Sequence, residues 1–282
     1  MSSRMRVLHE WTRQVEALLP RERVTRCRVL ALFAAGIVWA NAVTLLKVAA
    51  ALPLPAADPS IERRLKRFLT NPRVTVAGLW EPLLPAVLRG LGKRELLLVF
   101  DPTPYRGCAT ILVVGVVVRH RVLPLVWRVM PQQDPWPQPL GAVLAELLAA
   151  VAAALPPDAT ATLLADRGLV GPAVIDAARA AGFPIVLRLR AGAGEETRVR
   201  LGDGPEQRLA DVPTGPGQRY AGPAAIFKDA GWCAGFLTVH WDRAEPEPWV
   251  LFSDRPAGPD RVRDYRRRAR AEATYQDEKS RG

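Results

Sequence analysis

The sequence predicts an α/β fold: a mixed sheet flanked by helices, with an all-α region before it and a β-rich insertion ahead of the last helix. Three observations predict it. Residues 1–93 read as helical throughout, from apolar positions at helical spacing. From Glu95 the pattern changes to short apolar and β-branched runs bounded by turn residues, alternating with helical stretches. Residues 191–248 are then rich in Gly and Pro and break that alternation.

In the N-terminal region Val7, Leu8, Trp11, Val15, Leu18 and Leu19 recur at helical spacing until Pro20 stops the run. An apolar helix is expected around 29–52. The span 29–46 resembles a membrane segment in composition, but Asn41 sits inside it, Lys47 follows, and the other apolar run, 140–155, is interrupted by Glu146. A buried helix in a chain without a membrane partner is therefore expected. The Pro-rich stretch 52–59 reads as a linker and Ser60 as the cap of a new helix. There Ile61, Leu65, Phe68 and Leu69 share one face, while Arg63, Arg64, Lys66 and Arg67 form either a phosphate-contacting face or a solvated one.

Residues 96–100 form a continuous apolar run ending at Asp101, the pattern of a buried central strand. Residues 111–118 and 122–129 suit a hairpin beside it, 140–155 a helix, 160–165 a strand ending at Asp166, 172–181 a helix and 184–189 a further strand. Three strands, helix, strand, helix, strand is the order of the RNase H-like fold. The predicted organisation is a helical region at 1–93, a first part of the core at 94–190, the insertion at 191–248, and a final strand and helix at 249–282. Within the insertion 197–201 and 236–241 suggest small strands, and the last helix starts near Asp260.

Charge is unevenly placed. The net charge is +11; residues 1–73 carry 13 Lys or Arg against 5 Asp or Glu, and residues 261–282 carry 8 against 4, so the stretch between is close to neutral. A polyanion would meet the two ends of the sequence, which suits double-stranded DNA as partner. The three cysteines, Cys27, Cys108 and Cys233, are far apart and in no CxxC pair, which argues for a reducing, cytoplasmic setting and against a zinc site. His9, His120 and His240 have no paired-ligand spacing.

Asp101 and Asp166 each follow a strand expected to be central, and in this order the two strands are neighbours. Their carboxylates would then stand together at the C-terminal edge of the sheet, a hard-oxygen set suited to Mg²⁺ or Mn²⁺; an Asp that merely caps a turn is the plainer alternative for either one. On the last helix, at about 100° per residue, Tyr265, Arg268, Glu272 and Lys279 share one narrow face, a single acid among cations and an aromatic donor.

Tyr265-x2-Arg268-x3-Glu272-x6-Lys279 is similar to the Y-(2)-R-(3)-E-(6)-K signature of a large group of insertion-sequence DDE transposases. Asp101-Pro102-Thr103 and Ala165-Asp166-Arg167-Gly168 resemble that family's first and second acidic motifs, and the segment 59–74 resembles the stretch before its catalytic domain. The likeness covers roughly residues 60–282. It implies an RNase H-like DNA transposase in which Asp101, Asp166 and Glu272 hold two Mg²⁺ or Mn²⁺ ions. Tyr265, Arg268 and Lys279 would contact phosphates near the transposon end, and a homo-oligomer would act on transposon ends and target DNA. Relatives usually continue well beyond Lys279, so a truncated element is also expected. An RNase H-like nuclease and a catalytically impaired DNA-binding regulator are the competing readings.

Overall fold

The computed structural model describes residues 3–92, 94–119, 121–132, 135–169, 171–191, 196–212 and 215–268. The chain divides into two compact units, one running to Leu91 and the other starting at Gly92.

The first unit is helical: α1 (Ser3–Leu18), α2 (Val24–Ala40), α3 (Leu45–Ala51), α4 (Asp58–Leu69), α5 (Val76–Leu79) and α6 (Leu84–Gly90). Its core joins Leu8 and Leu19 to Cys27, Leu32 and Ala35 of α2, Val48 of α3 and Ile61, Leu65 and Phe68 of α4. Three expectations need correction. The apolar stretch 29–52 is two helices, not one. Asn41 closes α2 in the left-handed region at φ 46°, a conformation Asn tolerates better than most residues, and the chain bends by 92° before α3. Helix α4 starts at Asp58 with Pro59 in its first turn, so Ser60 lies inside the helix; Leu69 is exposed, as are Val7 and Leu18 of α1. Arg63, Arg64, Lys66 and Arg67 are all exposed. Among the described residues no single helix is long and apolar enough to cross a membrane, and only the bent pair α2 and α3 passes by length and composition together.

The second unit is built on one mixed sheet of ten strands. Its elements in chain order are β1 (Glu95–Tyr105), β2 (Ala109–Val118), β3 (Arg121–Pro131), α7 (Leu140–Ala154), β4 (Thr160–Ala165), α8 (Pro172–Ala180), β5 (Ile185–Arg188), β6 (Arg198–Leu201), β7 (Glu206–Arg208), β8 (Arg219–Ile226), β9 (Cys233–His240), β10 (Trp249–Ser253) and α9 (Pro259–Arg266). The strands lie in the order β3-β2-β1-β4-β5-β10-β9-β8-β6-β7. Strands β1, β4 and β5 run parallel, which requires crossovers supplied by α7 and α8; every other pair is antiparallel. The strands at 198–253 continue the same sheet through β10 pairing with β5, so the Gly- and Pro-rich insertion is an extension of the core sheet and not a separate layer.

Alternation along the strands assigns two faces. One holds Leu98, Phe100, Leu163, Ala165, Ile185, Leu187 and Phe252, all completely buried, on the side that packs α7 and α8. The register places Val99 beside Leu164, Leu164 beside Val186, and Leu251 beside Arg188 on the other face. There α9 lays Val262 and Tyr265 over Val99, Leu164, Val186 and Leu251.

Candidate active site

The parallel ladder between β1 and β4 ends at the pair Phe100 and Ala165. The next residue on each strand is an aspartate, Asp101 and Asp166, so the two acids emerge side by side on the face that α9 covers. Asp166 ends its strand as the sequence predicts. Asp101 does not: β1 continues to Tyr105, because β2 keeps pairing with it as far as Tyr105 and Ala109. Past Phe100 the parallel neighbour has run out, so Pro102 and Pro104 withhold no donor from β4, and the strand tolerates them.

Helix α9 and the turn that ends it bring Tyr265 and Arg268 onto this pair. The Tyr265 hydroxyl donates to Asp166 Oδ1 at 2.8 Å. Arg268 Nη2 donates to Asp101 Oδ1 at 3.0 Å and lies 3.5 Å from Asp166 Oδ2. A single guanidinium nitrogen thus straddles both carboxylates. The hydroxyl of Thr103, two residues along β1, donates to Asp101 Oδ2 at 3.1 Å and fixes the other oxygen. Tyr265 and Arg268 are buried, with 4% and 6% of their surface exposed, while the carboxylates are half-buried. Tyr265 also meets the Trp249 ring edge to face at 5.5 Å.

Comparison with family models finds no match to the sequence, and comparison with curated proteins finds none.

The electrostatics follow from this packing. Burial works against ionisation of Asp166, yet the Arg268 charge, the Tyr265 hydroxyl, the Arg167 backbone N–H and Arg188 together hold its carboxyl below the usual range. Burial, reinforced by the neighbouring Asp166 charge, pushes the Tyr265 phenol well above its ordinary value despite Arg268. Tyr265 is therefore a neutral donor at any physiological pH. Arg188 stands one strand beyond Asp166, and Glu247 accepts from both Arg188 and Arg167 through one oxygen at 2.6 Å each. A cavity of about 490 Å³ opens there, lined by Arg167, Arg188, Arg190, Trp241 and Glu247.

Of the six residues singled out from the sequence, four converge: Asp101, Asp166, Tyr265 and Arg268. Glu272 and Lys279 lie outside the described residues. Among the described residues no cluster of three or more His, Cys, Asp or Glu forms a ligand set, so the acids contribute a pair here. Sequence reasoning named Thr103 only as part of the first acidic motif, with no role of its own, and missed Arg188. Both were findable by alternation: Thr103 is two residues after Asp101, and Arg188 closes the buried run 185–188 on the face that carries Val186.

Proposed function

We propose that the protein is an RNase H-like DNA transposase that cleaves and transfers DNA strands at transposon ends in a divalent-metal-dependent reaction. The observation that carries this reading is the meeting of Asp101 and Asp166 at the end of a parallel ladder with Tyr265 and Arg268 from the last helix. The strand order β3-β2-β1-β4-β5, with β2 antiparallel and β4 and β5 parallel to β1, supports an RNase H-like core. The spacing of Tyr265 and Arg268 supports the transposase family, because these two signature positions arrive on the two acids that its other motifs single out.

The donor set fits Mg²⁺ or Mn²⁺: two carboxylates with hard oxygens, already arranged around a shared positive centre in the Arg268 guanidinium. Asp101 and Asp166 would hold the ions, with Glu272 completing the set. Bound there, two such ions supply activation of a water or a 3′-hydroxyl and stabilisation of the leaving oxygen at phosphorus.

The chain's own residues do the rest. Thr103 and Tyr265 each donate to one oxygen of an acid, so both carboxylates are oriented before DNA arrives, which spares reorganisation later. Tyr265 keeps its proton and so acts as an orienting donor and not as a base. Arg268 neutralises two adjacent negative charges in the free protein, and its planar guanidinium is a group that also suits a phosphate.

The test uses the full chain on a duplex carrying the inverted repeats that flank its gene. Asp101→Asn and Asp166→Asn should each lower Mg²⁺-dependent cleavage by two to three orders of magnitude, the scale expected for losing one preorganised electrostatic group, while DNA binding in EDTA is retained. Wild-type protein that leaves this duplex intact in Mg²⁺ and in Mn²⁺ would sink the proposal. Cleavage without joining of the ends would assign a nuclease instead.

A further inference from the structure

Helix α9 has a second working face. Counting about 100° per residue from Tyr265, Arg268 falls near 300°, on the carboxylate side. From Val262, at the edge of the core-facing side near 60°, Arg266, Arg263 and Arg267, the last just past the helix, sweep to about 200° on the side away from the carboxylates. These four line a cavity of about 620 Å³ between α9 and the β8–β9 pair. Its largely apolar floor comes from Ala221, Thr238 and Val262, and its rim adds Arg219 and His240. Register explains the meeting: Arg219 pairs with His240 and Ala221 with Thr238, so their side chains rise together on the sheet face that α9 covers.

The rim is cationic and only loosely neutralised. Asp242 serves three partners at once: His240 at 2.9 Å, Arg219 at 3.5 Å and Arg266 at 3.5 Å. Arg263 pairs with Asp260 at 2.9 Å, and Arg267 reaches Asp264 only at 4.0 Å. Among the described residues no carboxylate lines the cavity itself. Arg219 and Arg263 keep about two thirds of their side-chain surface in solvent, so the cavity is open along its rim. All the permanent cations are arginines, whose fork geometry matches a phosphate. An open, arginine-rimmed trough with an apolar floor fits a passing strand, its phosphates on the rim and a sugar on the floor, better than an enclosed small molecule.

We propose that this cavity binds a backbone phosphate of the DNA strand that passes through the carboxylate site. It gives the strand a second anchor across the width of α9, about 10 Å, or about three nucleotides at the 3.4 Å rise of one strand. The inference rests on reading Asp101 and Asp166 as a DNA-cleaving site, and it assigns the outer face of the same helix to the same strand.

The experiment measures binding of a fluorescein-labelled duplex to the full chain in EDTA over a range of salt, so that activity is not the readout. In the double variant Arg219→Gln, Arg263→Gln the slope of log K against log salt should flatten by about 0.9, the value for one lost phosphate contact, with affinity at least tenfold weaker at 0.1 M salt. The double variant Arg219→Lys, Arg263→Lys should recover most of the slope, which a merely misfolded protein would not. A duplex trimmed to end at the scissile position should bind wild type and variant alike. Unchanged slope and affinity in the Gln variant overturn the proposal. So does displacement of the long duplex by dAMP or inorganic phosphate at concentrations matched in phosphate, since the site would then belong to a free anion. Mg²⁺-dependent cleavage is scored separately. Its absence from wild type sinks the carboxylate reading, whereas intact cleavage with an unchanged slope sinks the cavity alone.

Discussion

The two halves of the ten-stranded sheet hold charge on the same face in different ways, the first with half-buried acids flanked by Arg188 of β5, the second with cations on an open rim. In the half formed by β3, β2, β1, β4 and β5 the face carries the acids Asp101 and Asp166, held by buried Arg268 and Tyr265. In the half formed by β10, β9, β8, β6 and β7 it carries Arg219 and His240, and the covering helix turns Arg263 and Arg266 toward them. The acids stand where a parallel ladder ends, a point that topology fixes. The cations stand along an antiparallel pair and on exposed rims, where surface chemistry has more freedom. Helix α9 is common to both, so the unit presents one surface on which the way charge is held changes from one side of a helix to the other.

That comparison can be broken by removing charge from each half. Deleting both acids with Asp101→Ala, Asp166→Ala leaves the guanidinium of Arg268, 7% exposed, without either carboxylate. Breaking a buried ion pair costs up to about 3 to 5 kcal/mol, so urea denaturation should show a clear loss, at most of that size. The double variant Arg219→Gln, Arg263→Gln removes exposed charges and should stay within about 0.5 kcal/mol of wild type. Equal losses in the two variants would mean that the halves do not differ in the way their charges are held.

The halves also differ in how well they could be read from sequence, for a physical reason. Strands β1, β4 and β5 are covered on both faces, so they are continuous apolar runs that stand out from their flanks. Their order was enough to set Asp101 beside Asp166. Strand β8 went unread because Gly222 and Pro223 interrupt it, and both normally mark a turn. The structure accommodates them: β6 pairs only with Ala224, Ala225 and Ile226, so Pro223 lies beyond that ladder, and its carbonyl still accepts from Gly202 at 2.8 Å. Strand β7, Glu-Gln-Arg, carries no apolar signal at all. The cationic cavity was illegible for the same reason, since Arg219 and Arg263 are brought together by a strand that the pattern did not reveal. In the helical unit the break at Asn41 was hidden because a backbone turn into the left-handed region leaves no trace in hydrophobic periodicity.

Close packing sharpens the comparison at a smaller scale. A side chain added at Gly115, in the first half, would collide with Val122 Cγ1 and meet the Leu123 carbonyl oxygen at 3.0 Å. One added at Gly235, in the second half, would meet the Phe252 ring at 2.5 Å and the Ser253 carbonyl oxygen at 2.8 Å. Gly115→Val and Gly235→Val should each lower stability by about 1 to 3 kcal/mol, read as a lower Tm. Similar losses would establish that the second half is packed as tightly as the first despite its irregular sequence. A neutral Gly235→Val would show that it gives way more easily.

The smallest effect compares the regions through their thiols. Cys108 is exposed at the turn between β1 and β2, Cys233 is half-buried on β9, and Cys27 lies in the core of the helical unit with 1% of its surface exposed. Burial pushes the Cys27 thiol up, helped by Glu22 and Glu16. Burial likewise raises Cys233, only partly offset by the Arg179 guanidinium 3.2 Å from its sulfur. Because the thiolate is the reactive form, a raised value means fewer thiolates at a given pH, so labelling of Cys233 should keep accelerating at pH values where a free thiol has levelled off. With a thiol reagent at pH 8, mass spectrometry should find Cys108 modified first and Cys233 more slowly, with Cys27 modified only when urea opens the helical core. The same linkage gives the sign for stability. The contribution from Cys27 is complete below the unfolded thiol pKa and is lost as pH rises through the higher folded value. Labelling of Cys27 in native protein as fast as Cys108 would contradict the helical core described here, and would make that unit the least stable part of the chain.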